Sequence, residues 1–404
     1  MALQNLHDQL TQDLNRRASE HARRFLSVYQ PSEGGKILLA EDGSRYLNLA
    51  SNDYLGLAHD PRLAQAVAQA AEQHGTGSGA SRLVCGTHPV HNQCEQAFTK
   101  AKHPNPTTRG DHASLLLPTG YMANLAVLTA LAGEDDLIVI DKLVHASLID
   151  AARTSQATVR SYPHLNTKRL DDLLTQHGPN ARRRFIVTDS VFSMDGDCAD
   201  LPILCELADK HSAVLIVDEA HGTGVLGPTG AGLAELDGVQ DQIDITVSTC
   251  SKALGCQGGV VTAHRSVIDT LVNHARSLIY TTGAMPAQAA AAQRALSIAQ
   301  NETSKRQQVI AHAIQLRDHL TQTGWQLPTT RQVTPIIPLI VGSNAKALGL
   351  AKHLKTNGIL GVAIRPPTVS PGASRIRLTL RADLSAHDLN NVIDTLNNWP
   401  DQHH

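Results

Sequence analysis

Aromatic residues are scarce in this chain of 404: four Phe, two Trp and six Tyr, 3% of the whole. So small a supply argues against stacking platforms for single-stranded nucleic acid. An excess of one charge is missing too. Thirty-five Lys and Arg stand against 37 Asp and Glu, a formal net charge of −2, which leaves no basic field for a phosphate backbone. No apolar run approaches the roughly 20 residues of a membrane span. The opening MALQNLHDQLTQDLNRR has no apolar core of signal-peptide type. The six cysteines, Cys85, Cys94, Cys198, Cys205, Cys250 and Cys256, form no Cys-x-x-Cys and no half of a zinc site. They read as free thiols in a reducing compartment. The expectation is a cytoplasmic protein without a metal.

Histidine is the residue type in surplus, at 21. HPVH, His88 to His91, has Pro89 inside it and no acidic third ligand at a helical interval. It reads as a loop entering a helix. His403 and His404 at the end form no tag-like run.

The length exceeds one core of usual size, so two domains are expected. The first 28 or so residues read as a polar helix ended by Gln-Pro, and GKILLAEDG and RYLNLA follow as strands joined at an Asp-Gly turn. From SNDYLGLA onward short aliphatic runs alternate with helical stretches. The runs are SLLL (114–117), DLIVI (136–140), TVRSY (158–162), RFIVTD (184–189), AVLIVD (213–218), DITVS (244–248) and GGVVTA (258–263). Such alternation predicts an α/β fold with a mostly parallel sheet covered on both faces. A long helical region over about Pro286 to Thr323 leads to VTPIIPLIVG, a helix at NAKALGLAKHLKTNG, SRIRLTL and a final helix over about Ala386 to Asn398. These elements predict a smaller α+β unit. The expected division is 1–48, an N-terminal helix with short strands; 49–290, the large α/β domain; and 291–404, the small domain. AKHPNPTTRGDHA between the first helices and SLLL reads as a surface excursion.

Two motifs mislead. DEAH, Asp218 to His221, spells a helicase box, but no Gly-Lys-Ser/Thr phosphate loop accompanies it. GTGVLG, Gly222 to Gly227, matches a dinucleotide fingerprint in letters only. Glu-Ala-His separates it from its strand, and Pro228, Thr229 and Gly230 follow where a helix would have to run. It reads as a glycine-rich turn.

Two residues carry chemistry. Asp218 closes the strand AVLIVD, and in open α/β sheets ligands bind at the strands' carboxyl ends. His221, three residues on, can line the same crevice. Lys252 follows DITVST within TCSKALGCQGGV, a stretch with no other charge. A poorly solvated lysine becomes a neutral amine that bonds carbonyl compounds. Small neighbours admit a flat ring, and Thr249 and Ser251 offer hydroxyls to a phosphate. An Asp for a pyridinium nitrogen and a Lys for an aldehyde are the two contributions that pyridoxal phosphate (PLP) requires of a protein.

VDEAHGTGVLG followed by STCSKALGCQGG resembles the α-oxoamine synthases, among the fold-type-I PLP-dependent enzymes. SNDYLGLA, GTGSGASRLVCGTHPVH, GYMANLAVL, DKLVHASLIDAA, TDSVFSMDGD and SRIRLTL extend the resemblance over nearly the whole chain. It implies the fold-type-I architecture and a role for each matching residue. Lys252 would hold PLP and later move the amino acid's Cα proton. Asp218 would pair with the ring nitrogen, and His145 would stack on the ring. His221 and Ser193 would reach the ring oxygen. Gly120 and Tyr121 would present N–H groups to the phosphate, Thr249 a hydroxyl, and Thr282 a further contact across a homodimer interface. Arg377 would bind the substrate carboxylate with Asn52 nearby; Arg375, on the same strand face, competes with it. Arg23, with Arg24 beside it, would meet the acyl donor, and Thr368 would sit near the acyl group.

HARSLIYTT and above all AIRPPTV resemble the members of that family that condense L-alanine with a pimeloyl thioester, pimeloyl-CoA or pimeloyl-carrier protein, in biotin biosynthesis, and the resemblance implies that activity here. Another α-oxoamine synthase, such as a glycine C-acetyltransferase, stays open. A nucleotide-binding oxidoreductase built on GTGVLG and a non-enzymatic binder are the readings from other classes.

Overall fold

The computed structural model describes residues 2–400; His403 and His404 lie outside the described residues. Two compact units divide the chain. One takes residues 52–310 and 330–334, and the other takes residues up to 51, 311–329 and 335 onward.

The larger unit is built on one seven-stranded sheet. Its strands are β1 (His112–Leu117), β2 (Leu137–Asp141), β3 (Thr158–Tyr162), β4 (Arg184–Asp189), β5 (Val214–Asp218), β6 (Ile245–Thr249) and β7 (Gly259–His264), in the order β1-β7-β6-β5-β4-β2-β3. β2 to β6 pair in parallel. β2 and β6 are buried along their length, as aliphatic strands covered on both faces must be. At the edge, β3 exposes Thr158, Arg160 and Ser161 and buries Tyr162, which limits its appeal as an open template.

β7 departs from the parallel pattern and runs antiparallel to both β1 and β6. Its connection explains why. Only residues 250–258 join Thr249 to Gly259, and a parallel return needs a crossover of about a dozen residues or more.

The smaller unit carries two sheets. Tyr29–Ser32, Ile37–Ala40, Arg45–Asn48 and Ile359–Leu360 form one; Ile336–Gly342, Ser374–Thr379 and Val362–Ile364 form the other. Helices Asn344–Thr356 and Ala386–Asn397 belong to the same unit. Lys36 reaches Asp388 at 3.2 Å and ties the first sheet to the last helix.

Two helices differ from the sequence expectation, each for a local reason. The first runs Ala2–Ser19 rather than to residue 28. His21 adopts φ 54° there, and the Ala22 and His21 N–H groups turn back to the Arg17 and Ala18 carbonyls at 2.7 and 3.1 Å. This pair of bonds is a Schellman closure, made with histidine in the left-handed position usually given to glycine. The long helix splits into Pro286–Asn301 and Thr303–Gln322, because Glu302 leaves helical backbone at φ −96°, ψ 68°. Arg306 caps the break by donating to the Ala299 and Gln300 carbonyls. HPVH does enter a helix: His88 caps Pro89–Lys102, and buried His91 meets the Ala284 carbonyl at 2.7 Å. In the excursion before β1, residues 104–107 are exposed around a one-turn helix, Pro106–Arg109.

Beyond the ends of β2 and β4, His164 bridges two carboxylates. Nδ1 lies 3.0 Å from Asp141 and Nε2 2.8 Å from Asp197. Burial opposes its charge, but the bonds to Asp141 and Asp197 outweigh burial and raise its pKa from 6.5 to about 10. A folded-state value above the unfolded one means the bridge stabilises fully below about pH 6.5 and is lost as pH rises through about 10. Thermal melts should therefore show a gap between the wild type and His164→Gln that narrows across that window. A gap constant with pH would contradict the bridge's charge.

Candidate active site

The site begins where β4, β5 and β6 end side by side. Asp189 pairs in register with Asp218 across the parallel ladder, so both carboxyl groups leave the sheet on one face. They line a cavity of roughly 220 Å3 together with Gly120, Tyr121, Asn124, His145, Ser147, His221, Thr249 and Lys252. A strand-end crevice is where an open α/β sheet receives ligands.

Asp218 is buried, and a buried carboxylate needs donors. It has two: Asn124 Nδ2 reaches one oxygen at 2.7 Å, and the Ala220 N–H reaches the other at 2.8 Å. Behind it, the buried Glu219 carboxylate accepts from Ser190 Oγ and from the Leu233 and Ala234 N–H groups at 2.8–3.1 Å. Lys102, also buried, donates to Thr223 Oγ1 at 3.0 Å and to the Ala231 carbonyl. These bonds hold the segment 219–234 as turns. GTGVLG is thus a packed turn, and a Cβ on Gly222 would fall 2.1 Å from the Glu219 carboxylate.

At the other end of the cavity the helix Gly120–Leu131 begins. Thr119 caps it through Oγ1, leaving the first N–H groups, those of Gly120 and Tyr121, at the positive end. A Cβ at Gly120 would sit 3.3 Å from Thr249 Oγ1, so the helix start and the end of β6 approach closely. Thr249 Oγ1 is itself 2.9 Å from Ser251 Oγ. Two hydroxyls and a helix N-terminus here suit an anion.

His145 lies between these ends. Its Nδ1 accepts from the Ser147 N–H at 3.3 Å, capping the helix Ala146–Thr154. Burial lowers its pKa, with the Lys252 charge acting in the same direction and Asp218 opposing. His221 Nδ1 is 2.5 Å from the hydroxyl of fully buried Tyr54. Lys252 is half-buried on the return between β6 and β7. Cys250 is buried and Cys256 half-buried; burial raises both thiols, Cys256 to about 12. At ordinary pH they are packing groups without thiolate character.

Other expected residues are not among those that line this cavity. Ser193 and Asn52 are half-buried, and Asn52 accepts from Tyr54 Oη at 3.3 Å. Thr282 is exposed. Arg23, Thr368 and Arg377 belong to the smaller unit. There Arg23 and Thr368 line one cavity with Arg24 and Arg365. Arg24, rather than Arg23, bonds Thr368 Oγ1, at 3.1 Å, while Arg23 lies over the Phe25 ring. Arg375 and Arg377 are both buried on one strand face. Arg377 donates to Thr379 Oγ1 at 3.1 Å and Arg375 to the Ala373 carbonyl at 3.0 Å.

The residues sequence reasoning missed are Asn124, Ser147, Asp189 and Tyr54. Asp189 had a usable signal, since it ends RFIVTD as Asp218 ends AVLIVD. Asn124 lies one turn beyond Gly120 and so faces the same way as the helix start.

A family model, aminotransferase class I and II, matches residues 44–396. The chain belongs to the aminotransferase class I and II family. Among curated members, the 8-amino-7-oxononanoate synthase of Alkalilimnicola ehrlichii is 42% identical over 388 residues, 96% of each chain. The one from Anaeromyxobacter dehalogenans is 43% identical over 366 residues, 91% of this chain and 88% of that one. Among solved structures, serine palmitoyltransferase from S. paucimobilis with a bound PLP–myriocin aldimine superposes with TM-score 0.89 at 26% identity, covering 97% of both chains. In this member of the aminotransferase family the fold is the fold-type-I one expected from the motifs. Among the described residues no helix is long and apolar enough to cross a membrane, and no group of three or more His, Cys, Asp or Glu could hold a metal ion.

The close packing at the cavity's rim gives a direct check. A Cβ at Gly259 would lie 2.5 Å from the Thr119 carbonyl oxygen and 2.6 Å from Gly120 Cα. Gly259→Ala should lower stability to urea by about 1–3 kcal/mol, because backbone on both sides must give way. An unchanged denaturation midpoint would mean the helix start is not held against β7.

Proposed function

We propose that this chain acts as an 8-amino-7-oxononanoate synthase, condensing L-alanine with a pimeloyl thioester in biotin biosynthesis. The observation that supports it most is the placing of Asp218 and Lys252 on one cavity in a chain whose curated relatives carry that name. The same relatives disfavour a glycine-specific member of the family.

The cavity fits pyridoxal phosphate on its own chemistry. One end has the N–H groups of a helix start and two hydroxyls for a phosphate. The wall has a carboxylate with both oxygens supported. Two further oxygens, Asn124 Oδ1 and Asp189 Oδ1, are buried without a hydrogen-bond partner, as befits a cavity meant to hold a polar molecule. When bound, PLP supplies an electron sink for negative charge at the amino acid's Cα.

The chain's own residues would act as follows. Asp218 would keep its charge and hold a proton on the ring nitrogen. Gly120, Tyr121 and Thr249 would bind the phosphate, with Thr282, exposed, serving a neighbouring subunit's phosphate in a homodimer. His145 would stack on the ring, with His221 and Ser193 at the ring oxygen. Lys252 would bond the cofactor through Nζ and, once displaced by L-alanine, take the Cα proton at that nitrogen as a neutral amine. Arg377, with Asn52, would hold the alanine carboxylate. Arg23 and Thr368 would meet the acyl donor. The new carbon–carbon bond joins Cα to the acyl carbonyl as the thiol leaves. The carboxylate then departs as CO2, and Lys252 would return a proton to Cα.

Purified protein should carry a PLP chromophore, and Lys252→Ala should leave no PLP that borohydride can fix to the chain. L-Alanine with a pimeloyl thioester should release thiol, and glycine with acetyl-CoA should not. Running the assay with the CoA and the carrier-protein thioesters identifies the donor. A protein without PLP absorbance, or one that prefers glycine, would overturn the reading.

A further inference from the structure

Two carboxyl groups share the cavity, and their surroundings differ. Asp218 has a donor on each oxygen, from Asn124 and Ala220. Asp189 has one, the His145 N–H at 3.1 Å on Oδ2. Its Oδ1 is buried with no partner, although the residue lines the cavity and is only 3% exposed. An ionised carboxylate so placed would have an unsolvated oxygen beside a second anion on the neighbouring strand. Such pairs share a proton, and the better solvated member keeps the charge.

We propose that Asp189 serves this cavity as a neutral carboxylic acid, donating a hydrogen bond from Oδ1 to an oxygen of the bound molecule while Asp218 remains the anion. The proposal rests on the PLP reading for the identity of that molecule. The groups that face Asp189 agree with it. Burial and the Asp218 charge drive its pKa well above the carboxylate range, and Asp141 adds to the rise. Lys252 and the His145 N–H pull the other way. Lys252 is the cation in this set, and its Nζ is the atom proposed to bond the cofactor. A neutral acid also suits the site chemically. It offers a donor toward a carbonyl, phenolate or carboxylate oxygen where an anion would repel it.

The test uses the protein with and without PLP. Infrared spectra at neutral pH should contain a protonated-carboxyl band that shifts on PLP loading and is absent from Asp189→Asn. Asn keeps a neutral donor in the same shape. PLP affinity, read from the cofactor's absorbance, should stay close to wild type in Asp189→Asn and fall roughly tenfold in Asp189→Ala. Equal losses in the two variants would mean the anion was needed, and would overturn the proposal. If neither variant folds, the wild-type spectra decide. A carboxyl band that responds to PLP supports the neutral acid, and its absence refutes it. Failure of the cofactor reading looks different: the wild type itself would develop no PLP absorbance.

Discussion

The buried carboxylate of Asp218 is the constraint around which the larger unit is arranged. An ionised group in a protein interior costs several kcal/mol unless donors surround it. One of those donors is distant along the chain and the other is local. Asn124 arrives on the helix after β1, and Ala220 is the first residue able to turn back after β5. Glu219, next in line, repeats the problem and is met by Ser190, Leu233 and Ala234. The glycine turn, the short helix Leu233–Leu236 and the helix that delivers Lys102 are packed together by this need. Much of what looks like a motif in the sequence is thus the solvation shell of two adjacent carboxylates.

That arrangement also separates charges by role. Arg182 and Arg183 clamp Asp136 at the start of β2, with Arg182 Nη2 and Arg183 Nη2 each 2.9 Å from Oδ2. Their guanidinium groups hold its carboxyl far below the usual range despite the cost of burial. Asp141 and Asp197, at the opposite end of the sheet, share His164. Asp189 and Asp218, which take no part in these pairings, are the carboxyls that open on the cavity. The ionic pairs lie at the sheet's margins, and the carboxyls outside them are where chemistry is proposed.

How much of this was legible follows from distance along the chain. All seven strands of the main sheet, and the turn character of GTGVLG, could be read from aliphatic runs and glycine placement, because those signals are local. Asp218 and Lys252 stood out for the same reason: one ends a strand and the other is an isolated charge. Asn124 and Tyr54 were not legible, because their importance depends on meeting Asp218 and His221 across 94 and 167 residues. The reversal of β7 was readable in principle from its nine-residue connection, yet its letters, GGVVTA, look like those of any parallel strand. The end of the first helix was hidden because a histidine, not a glycine, takes the left-handed turn.

The return between β6 and β7 has a mechanical side. It is pinned at its base by the Cys250 N–H to the Gly258 carbonyl at 2.9 Å, and crossed by Cys256 N–H to Cys250 O and Gly255 N–H to Lys252 O, each at 2.8 Å. Gly255 takes φ 61°, and a Cβ there would fall 2.3 Å from the Ala58 nitrogen and 2.6 Å from the Leu57 carbonyl carbon. A loop so fastened has no backbone freedom to lend to the residue it carries. Whatever excursion Lys252 makes during a turnover is confined to the torsions of its own methylene chain. If Lys252 serves the cofactor as proposed, its amine would act as a short pendulum on a fixed pivot, moving without unmooring the floor beneath it.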